Sequence, residues 1–310
     1  MTGVTTVIFE NVSRWYGQVL GVAQVDLQID GGVVGLLGPN GAGKSTFMKL
    51  VYGELRPSDG VVRVFGEDPF ANPRVGARLG LAPEGDNFYP RTRGLDFVSY
   101  LLRLHGFEAV RARELAERAL GEVGLSDVAG RPISTYSKGM RQRLKLAQAV
   151  AHQPDLLILD EPLSGLDPVG RRQVIDRIRR EGERGATVLV SSHILHEVEL
   201  MTRQVVLMSQ GRVLATGNVQ EIRRLIDAHP HRIRMRTKAP RALATRLLDF
   251  AGIRSVSFSE ERGEVLAETS EPDRFYRELT EVVVKERLEV TELESPDDNL
   301  ESVFHYLVGA

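Results

Sequence analysis

The segment Gly38-Pro39-Asn40-Gly41-Ala42-Gly43-Lys44-Ser45-Thr46 constrains this chain more than any other stretch. It directly follows Val33-Val34-Gly35-Leu36-Leu37, a short all-apolar run of the kind a strand shows when both faces are buried in a parallel sheet. A helix-compatible stretch, Thr46 to Val51, comes straight after it. The segment fits G-x-x-x-x-G-K-[ST] in the strand–loop–helix context that pattern requires. Its residue types have chemical reasons. Glycines let successive backbone N–H groups turn inward around a polyphosphate without Cβ interference. The helix start adds unpaired N–H groups and a positive dipole end. Lys44 brings a full positive charge to the β and γ phosphates, and the Ser45 hydroxyl can ligate Mg²⁺. The plain alternative is a glycine-rich turn joining strand to helix, and the register of strand, loop, Lys-Ser and helix weighs against it.

A second apolar run, Leu156-Leu157-Ile158-Leu159, ends in Asp160-Glu161. In an open α/β sheet, ligands gather outside the carboxyl ends of the strands, where Lys44 also lies. Asp160 is then placed to hold Mg²⁺, directly or through water. Glu161, off the strand tip, can polarise an attacking water as general base. Taken alone, Asp-Glu after a strand is a solvated strand end; beside a phosphate loop the functional reading dominates.

Around these motifs the first part of the chain alternates strands with helices. Val4 to Val12, Ala23 to Ile29 and Val61 to Phe65 are β-prone, and Thr187 to Val190, Val205 to Met208 and Arg212 to Ala215 continue the sheet pattern. Asp30-Gly31-Gly32 and Pro57-Ser58-Asp59-Gly60 mark turns. From about Leu95 to Gln153 the strand signal vanishes, and Leu101, Leu102, Leu104, Leu115, Ala119, Leu120 and Val123 recur at helical spacing. That is a helical insertion in an α/β core. A composition change at Ala228-His229-Pro230 suggests a boundary, with one domain over 1–228 and another over 229–310. The second part reads as strand 232–237, helix 240–251, strands 253–259 and 264–269, helix 271–286, strand 288–294 and helix 299–309. That order, β-α-β-β-α-β plus a closing helix, resembles a small ferredoxin-like α+β domain.

Composition removes several function classes. The chain of 310 residues contains no cysteine, which excludes a disulfide scaffold, a cysteine nucleophile and a thiolate metal site. Lys plus Arg total 40 against 42 Asp plus Glu, a net charge of −2, so charge alone gives no reason to expect a nucleic-acid or anionic-membrane partner. No stretch approaches the ~18 consecutive apolar residues that span a bilayer. The first residues lack the basic and apolar regions of a secretory signal. The expectation is a cytosolic chain whose membrane role comes through a partner.

The motifs together carry a family resemblance. The phosphate loop, the Tyr136-Ser137-Lys138-Gly139-Met140 segment, the acidic pair, Ser164-Gly165-Leu166-Asp167 and His193 occur in that order. Over roughly residues 4 to 225 the chain resembles the nucleotide-binding subunit of an ABC transporter. The resemblance implies a P-loop NTPase core with a RecA-like parallel sheet, an antiparallel β subdomain and a helical subdomain over about 87–153, followed by a C-terminal α+β domain. It also implies ATP and Mg²⁺ as cofactors. The family's common signature is Leu-Ser-Gly-Gly-Gln; this chain keeps Ser137 and Gly139 and has Lys138 and Met140 at two other places. In the family this segment closes on the γ-phosphate held by a second subunit, so one chain is not a complete site. Ser137 is equally an ordinary helix N-cap. Asp167-Pro168 also has a structural account as N-cap and first helical residue, to which the resemblance adds a place on the dimer seam. His193 matches the switch histidine that contacts the γ-phosphate, where a lone His would otherwise be structural.

Tyr16, immediately before Gly17, matches the aromatic that stacks on adenine; a core tyrosine is the alternative, and strand alternation lets only one of Trp15 and Tyr16 face the nucleotide. Where the family has a Gln able to touch Mg²⁺, this chain has Glu84, whose charge and hydrogen-bonding capacity differ from those of an amide. Glu84, the Tyr-Ser-Lys-Gly-Met signature and a C-terminal domain occur together in a branch serving exporters of antibiotics, polysaccharides and lipids, with some metal-centre maturation and gliding-motility systems. The stretch Thr135 to Leu144 looks especially like the maturation-type ATPases. The resemblance implies a second ATPase copy and an integral membrane permease as partners, with the chain held peripherally at the cytoplasmic face. Nucleic acid is not expected. The competing reading is a soluble ABC-family ATPase that remodels a protein or nucleic-acid complex. Chromosome-maintenance members of that class insert a long coiled coil before the signature, whereas here the interval is about ninety residues without sustained heptads.

Overall fold

Leu156 to Leu159 are all fully buried, as strands covered on both faces require. The computed structural model describes residues 5–218, 231–286 and 288–295. The chain divides into two compact units, Met1–Asn218 and Val219–Ala310.

The first unit begins with β1 (Val7–Tyr16), β2 (Val19–Ile29) and β3 (Val33–Leu37). The phosphate loop leads into α1 (Lys44–Val51), then β4 (Asp59–Val64), a short α2 (Pro73–Gly76) and β5 (Leu79–Ala82). Three helices follow: α3 (Gly94–Leu104), α4 (Ala109–Glu122) and α5 (Lys138–Val150). The chain returns to the sheet with β6 (Leu156–Asp160), α6 (Pro168–Glu183), β7 (Thr187–Ser192), α7 (Leu195–Glu199), β8 (Gln204–Ser209) and β9 (Arg212–Asn218).

Six of these strands form one sheet in the order β5-β6-β7-β3-β8-β9. All neighbours are parallel except β9, which pairs antiparallel with β8. The period-2 alternation of side chains splits the apolar residues between two cores. Leu156, Ile158 and Leu189 face one side with Phe47, Met48 and Leu50 of α1. Leu157, Leu159, Val188 and Val190 face the other with Leu144, Ala147 and Val150 of α5 and Ile178 of α6. A separate antiparallel sheet, β2-β1-β4, packs on the first core through Phe9, whose ring stacks on Phe47 at 4.3 Å between centroids. The helix that starts at the phosphate loop is thus anchored by an aromatic from the smaller sheet.

The second unit contains β10 (His231–Thr237), α8 (Pro240–Leu247), β11 (Ile253–Ser259), β12 (Glu264–Thr269), α9 (Pro272–Glu286) and β13 (Val290–Glu294). Its four strands are antiparallel in the order β11-β12-β10-β13. Ile233 and Met235 turn inward against Leu243, Leu247, Phe275 and Leu279. Arg234 and Arg236 alternate with them and meet Glu294, Glu264 and Glu292 on the open face.

Several boundaries differ from the sequence expectation. β1 runs on to Tyr16, and β2 starts at Val19, because the two pair right up to Tyr16↔Val19 across the turn. Register shifts between Phe9 and Trp15, with Asn11 at positive φ, break the alternation that would have announced that extension. The helix expected over 240–251 stops at Leu247, where three-residue hydrogen bonds from Asp249 to Arg246 and Phe250 to Leu247 tighten the chain toward Gly252 in the left-handed region. Leu248, which caps the helix with its backbone still in the helical region, is exposed. The helix expected over 299–309 lies outside the described residues.

Replacing Phe47 by Ala should lower the stability of the first unit by about 3–5 kcal/mol, the usual cost of deleting a buried aromatic. Denaturant unfolding followed by the fluorescence of Trp15, the only tryptophan, reports that unit. A loss under 1 kcal/mol would mean that the Phe9–Phe47 stack does not anchor α1.

Candidate functional site

Register decides which strand ends meet. β7 lies between β3 and β6, with Leu37 beside Ser192 and Asp160 beside Ser191. The phosphate loop, the acidic pair and His193 therefore leave three neighbouring strands at the same edge, the position where ligands collect in open parallel sheets.

Two glycines in the loop are required by space. A Cβ on Gly38 would lie 2.4 Å from the Met208 carbonyl oxygen. Gly43 has φ 99°, and a Cβ there would lie 2.5 Å from the Gly21 carbonyl oxygen. Gly43 N-caps α1 with no side chain bonded to the first-turn N–H groups, which leaves those donors for an anion. Lys44, only 7% exposed, donates from Nζ to the carbonyls of Gly38 at 2.5 Å and Pro39 at 3.1 Å. Burial lowers its pKa, while Glu161, Asp160 and Glu84 pull the other way. A backbone cradle, free helix N–H groups and a buried ammonium are a donor set that fits a polyphosphate.

Ser45 Oγ donates to Asp160 Oδ2 at 3.4 Å. A hydroxyl and a carboxylate side by side are hard oxygen donors that suit Mg²⁺, which takes one or two protein ligands together with substrate phosphates. Among the described residues no group of three or more His, Cys, Asp or Glu is arranged to hold a metal by itself. Thr46 Oγ1 lies 3.3 Å from the Tyr16 hydroxyl. Tyr16 is 42% exposed, so it is not a core tyrosine, and it stands beside the phosphate-loop helix with the Arg14 guanidinium 5.3 Å from its ring.

Glu161 departs from its strand with φ 48°, a left-handed conformation costing a non-glycine residue roughly 1–2 kcal/mol. Its Oε1 meets His193 Nδ1 at 2.9 Å. Burial raises the Glu161 pKa; the hydrogen bond and charge of His193 and the charge of Lys44 oppose that rise. A half-desolvated carboxylate held by an imidazole is suited to accept a proton.

Ser137 and Gly139 are at the N-terminus of α5, where Ser137 Oγ accepts from the Met140 N–H at 3.2 Å. Among the described residues no hydrogen bond joins either to Gly38–Thr46. Gly139 instead packs near the Gly165 carbonyl. Asp167 N-caps α6, accepting from the Gly170 N–H at 2.6 Å, with Pro168 as the first helical residue. Glu84 lines a cleft of about 390 Å³ together with Ser45, Lys49, Tyr52, Glu54 and Asp160.

Three contributors escaped the sequence reading. Ser191 Oγ bonds Asp160 and the Glu161 N–H. Gln142 Nε2 donates to the Glu161 carbonyl at 3.0 Å. Lys145, buried on α5, donates to the Glu84 carbonyl at 2.6 Å and pairs with Asp86 at 2.8 Å. Polar residues three apart on the buried side of α5, and a serine at the end of an otherwise apolar strand, were the available signals, because buried polar groups are almost always bonded.

The family model described as "ABC transporter" matches residues 22–164. The daunorubicin/doxorubicin resistance ATP-binding protein DrrA of Streptomyces peucetius is 34% identical over 296 residues, covering 95% of this chain and 89% of that protein. The bacitracin transport ATP-binding protein BcrA of Enterococcus faecalis is 31% identical over 315 residues, covering 97% and 95%. A solved ATP-binding subunit of an ABC transporter superposes with a TM-score of 0.65 at 28% identity, over 71% of this chain and 92% of that one. Among the described residues no helix is long and apolar enough to cross a membrane. With its phosphate loop, acidic pair and histidine gathered at one sheet edge, this chain belongs to the ATP-binding subunits of ABC transporters, whose ABC domain binds ATP and hydrolyses it to power transport.

Proposed function

We propose that two copies of this chain bind two MgATP at a shared seam and couple hydrolysis to export through a separate membrane permease. The observation that carries the reading is the Glu161–His193 contact beside Lys44 and Asp160. ABC ATPases function as dimers with membrane subunits. That no hydrogen bond among the described residues joins Ser137 or Gly139 to the chain's own phosphate loop agrees with a seam in which they serve the partner's nucleotide. Residues 1–228 are the ATP-binding domain, with 87–153 its helical subdomain, and 229–310 are an accessory domain. The relatives named for drug resistance and bacitracin transport favour the antibiotic-export side of the family branch over the maturation type. The chain is then peripheral to the cytoplasmic face of the membrane.

In this reading Gly38 to Thr46 hold the phosphates through backbone N–H groups and Lys44, while Tyr16 stacks on adenine. Ser45 and Asp160 would hold Mg²⁺, which when bound would supply positive charge against the phosphate oxygens. Glu161 accepts the proton of the attacking water, and His193 keeps the Glu161 carboxylate aimed and addresses the γ-phosphate. Asp167 lies on the seam. Glu84, in the same cleft as Ser45 and Asp160, would stand where it could meet the cation through water. Its loop also forms part of a groove of about 540 Å³ whose wall includes Phe88, Tyr89, Phe97, Leu101 and Leu104. An apolar groove sharing a wall with the nucleotide cleft is the surface through which a membrane partner's motion would reach Glu84.

Replacing Glu161 by Gln should leave ATP binding intact and reduce turnover by at least about 100-fold, the usual contribution of a general base. Lys44→Ala should instead weaken nucleotide binding by roughly 10- to 100-fold through lost charge-assisted hydrogen bonds. Because burial raises the Glu161 pKa, the ionised base fills at higher pH than an ordinary glutamate. The acid limb of kcat/KM, which reports the free enzyme, should therefore lie above the usual carboxylate range and disappear in the Glu161→Gln variant. Wild-type turnover in that variant would remove Glu161 from the role.

Purification of the tagged chain from detergent-solubilised native membranes tests the transport assignment. A polytopic membrane protein in equal amount is the expected companion. Recovery with soluble or ribosomal partners alone would move the function to remodelling of a soluble complex.

A further inference from the structure

Ser191 occupies a position that no motif assigns. It lies at 0% exposure, opposite Asp160 in the parallel ladder. Its hydroxyl donates to Asp160 Oδ1 at 2.5 Å and accepts the Glu161 N–H at 2.9 Å. A hydroxyl carries one donor and two acceptor sites, so this single side chain serves both acidic residues in opposite senses.

Each bond has a geometric consequence. With Oδ1 of Asp160 taken by Ser191, it is Oδ2 that meets the Ser45 hydroxyl. The carboxylate plane is thereby set with one oxygen toward β7 and the other toward the loop. Glu161 meanwhile sits in the left-handed region, where a non-glycine residue persists only if its surroundings hold it. Its N–H is held by Ser191 and its carbonyl by Gln142, and this backbone setting carries the carboxylate to His193.

We propose that Ser191 is a positioning residue for both halves of the hydrolytic machinery: it orients Asp160 toward the divalent cation and fixes the backbone turn that aims Glu161. The proposal rests on the reading that Asp160 holds Mg²⁺ and Glu161 is the base. Groups that orient a metal-ligating carboxylate are worth roughly 10- to 100-fold in metal affinity or activity. A serine that merely satisfied a buried N–H would affect stability and leave cation dependence unchanged.

The test uses the full chain and a fluorescent ATP analogue, with Mg²⁺ titrated from an EDTA-treated start and steady-state kcat measured alongside. Ser191→Ala removes the hydroxyl, and Ser191→Cys keeps side-chain volume while offering only a weak donor, so the measurement survives if the alanine variant folds poorly. Both should raise the half-saturating Mg²⁺ concentration by roughly 10-fold and lower kcat comparably, with nucleotide affinity in EDTA unchanged. Asp160→Asn is the reference. If it shifts the Mg²⁺ dependence while the soluble Ser191 variants match wild type, the role of Ser191 is overturned and the reading of Asp160 stands. If Asp160→Asn leaves the Mg²⁺ dependence unaltered, the cation reading itself falls and takes the proposal with it.

Discussion

The parallel register of β6, β7 and β3 is the constraint on which the rest of this molecule depends. Five residues of β3 and six of β7 are enough to bring Gly38, Glu161 and His193 to one edge, although more than 150 residues separate the first from the last. Parallel pairing makes this possible because neighbouring strands end at the same side of the sheet. A slip of one residue would turn Asp160 away from Ser191 and exchange the inward and outward faces of the strand. The buried bonds from Ser191 to Asp160 and the Glu161 N–H oppose such a slip, since it would leave buried polar groups without partners.

Burial also sets the electrostatics. Lys44 and Glu161 are withdrawn from water, and each is pushed toward its neutral form; each is also pulled back by the other's charge. A polyphosphate arriving in the loop adds negative charge beside Lys44, which favours its protonated form, and the same charge further discourages ionisation of Glu161. A divalent cation held by Ser45 and Asp160 would offset that second effect. Nucleotide and cation would then be coupled electrostatically through Lys44 and Glu161, both already packed in the fold.

The helical segment enters this arrangement through α5. Lys145 ties the carbonyl of Glu84 and the carboxylate of Asp86 to the helix, and Arg141 adds a second bond to Asp86 at 2.6 Å. Burial alone would raise the Asp86 pKa, but the bonds from Lys145 and Arg141 outweigh it and hold it below the usual range. Gln148 bonds the Leu81 carbonyl, and Gln142 the Glu161 carbonyl. One helix therefore carries the Ser137 N-cap, holds the Glu84 loop and supports the Glu161 turn. A displacement of α5 would be felt at all three, because these bonds go to backbone groups and leave little slack.

Much of the fold and the site was legible before any coordinates. Glycine spacing, the Lys-Ser pair and the flanking apolar runs named the phosphate loop, since only certain residue types can form that backbone and supply that charge. Asp160, Glu161 and Asp167 were legible from their place at strand and helix ends. The extension of β1 to Tyr16 was hidden because bulges break the alternation, and the early end of α8 because only the switch to three-residue hydrogen bonds at Asp249 and Phe250 ends it, while Leu248 keeps helical backbone angles. Ser191, Gln142 and Lys145 were hidden for a different reason: they bond to residues from 19 to 61 positions away. The sequence by itself determined the chemistry available, through local patterns whose cause lies within a few bonds. The tertiary structure alone decided which oxygen of Asp160 faces the loop, what holds Glu161 in a strained turn and which helix governs Glu84, because those depend on long-range register and on the requirement that every buried polar group find a partner.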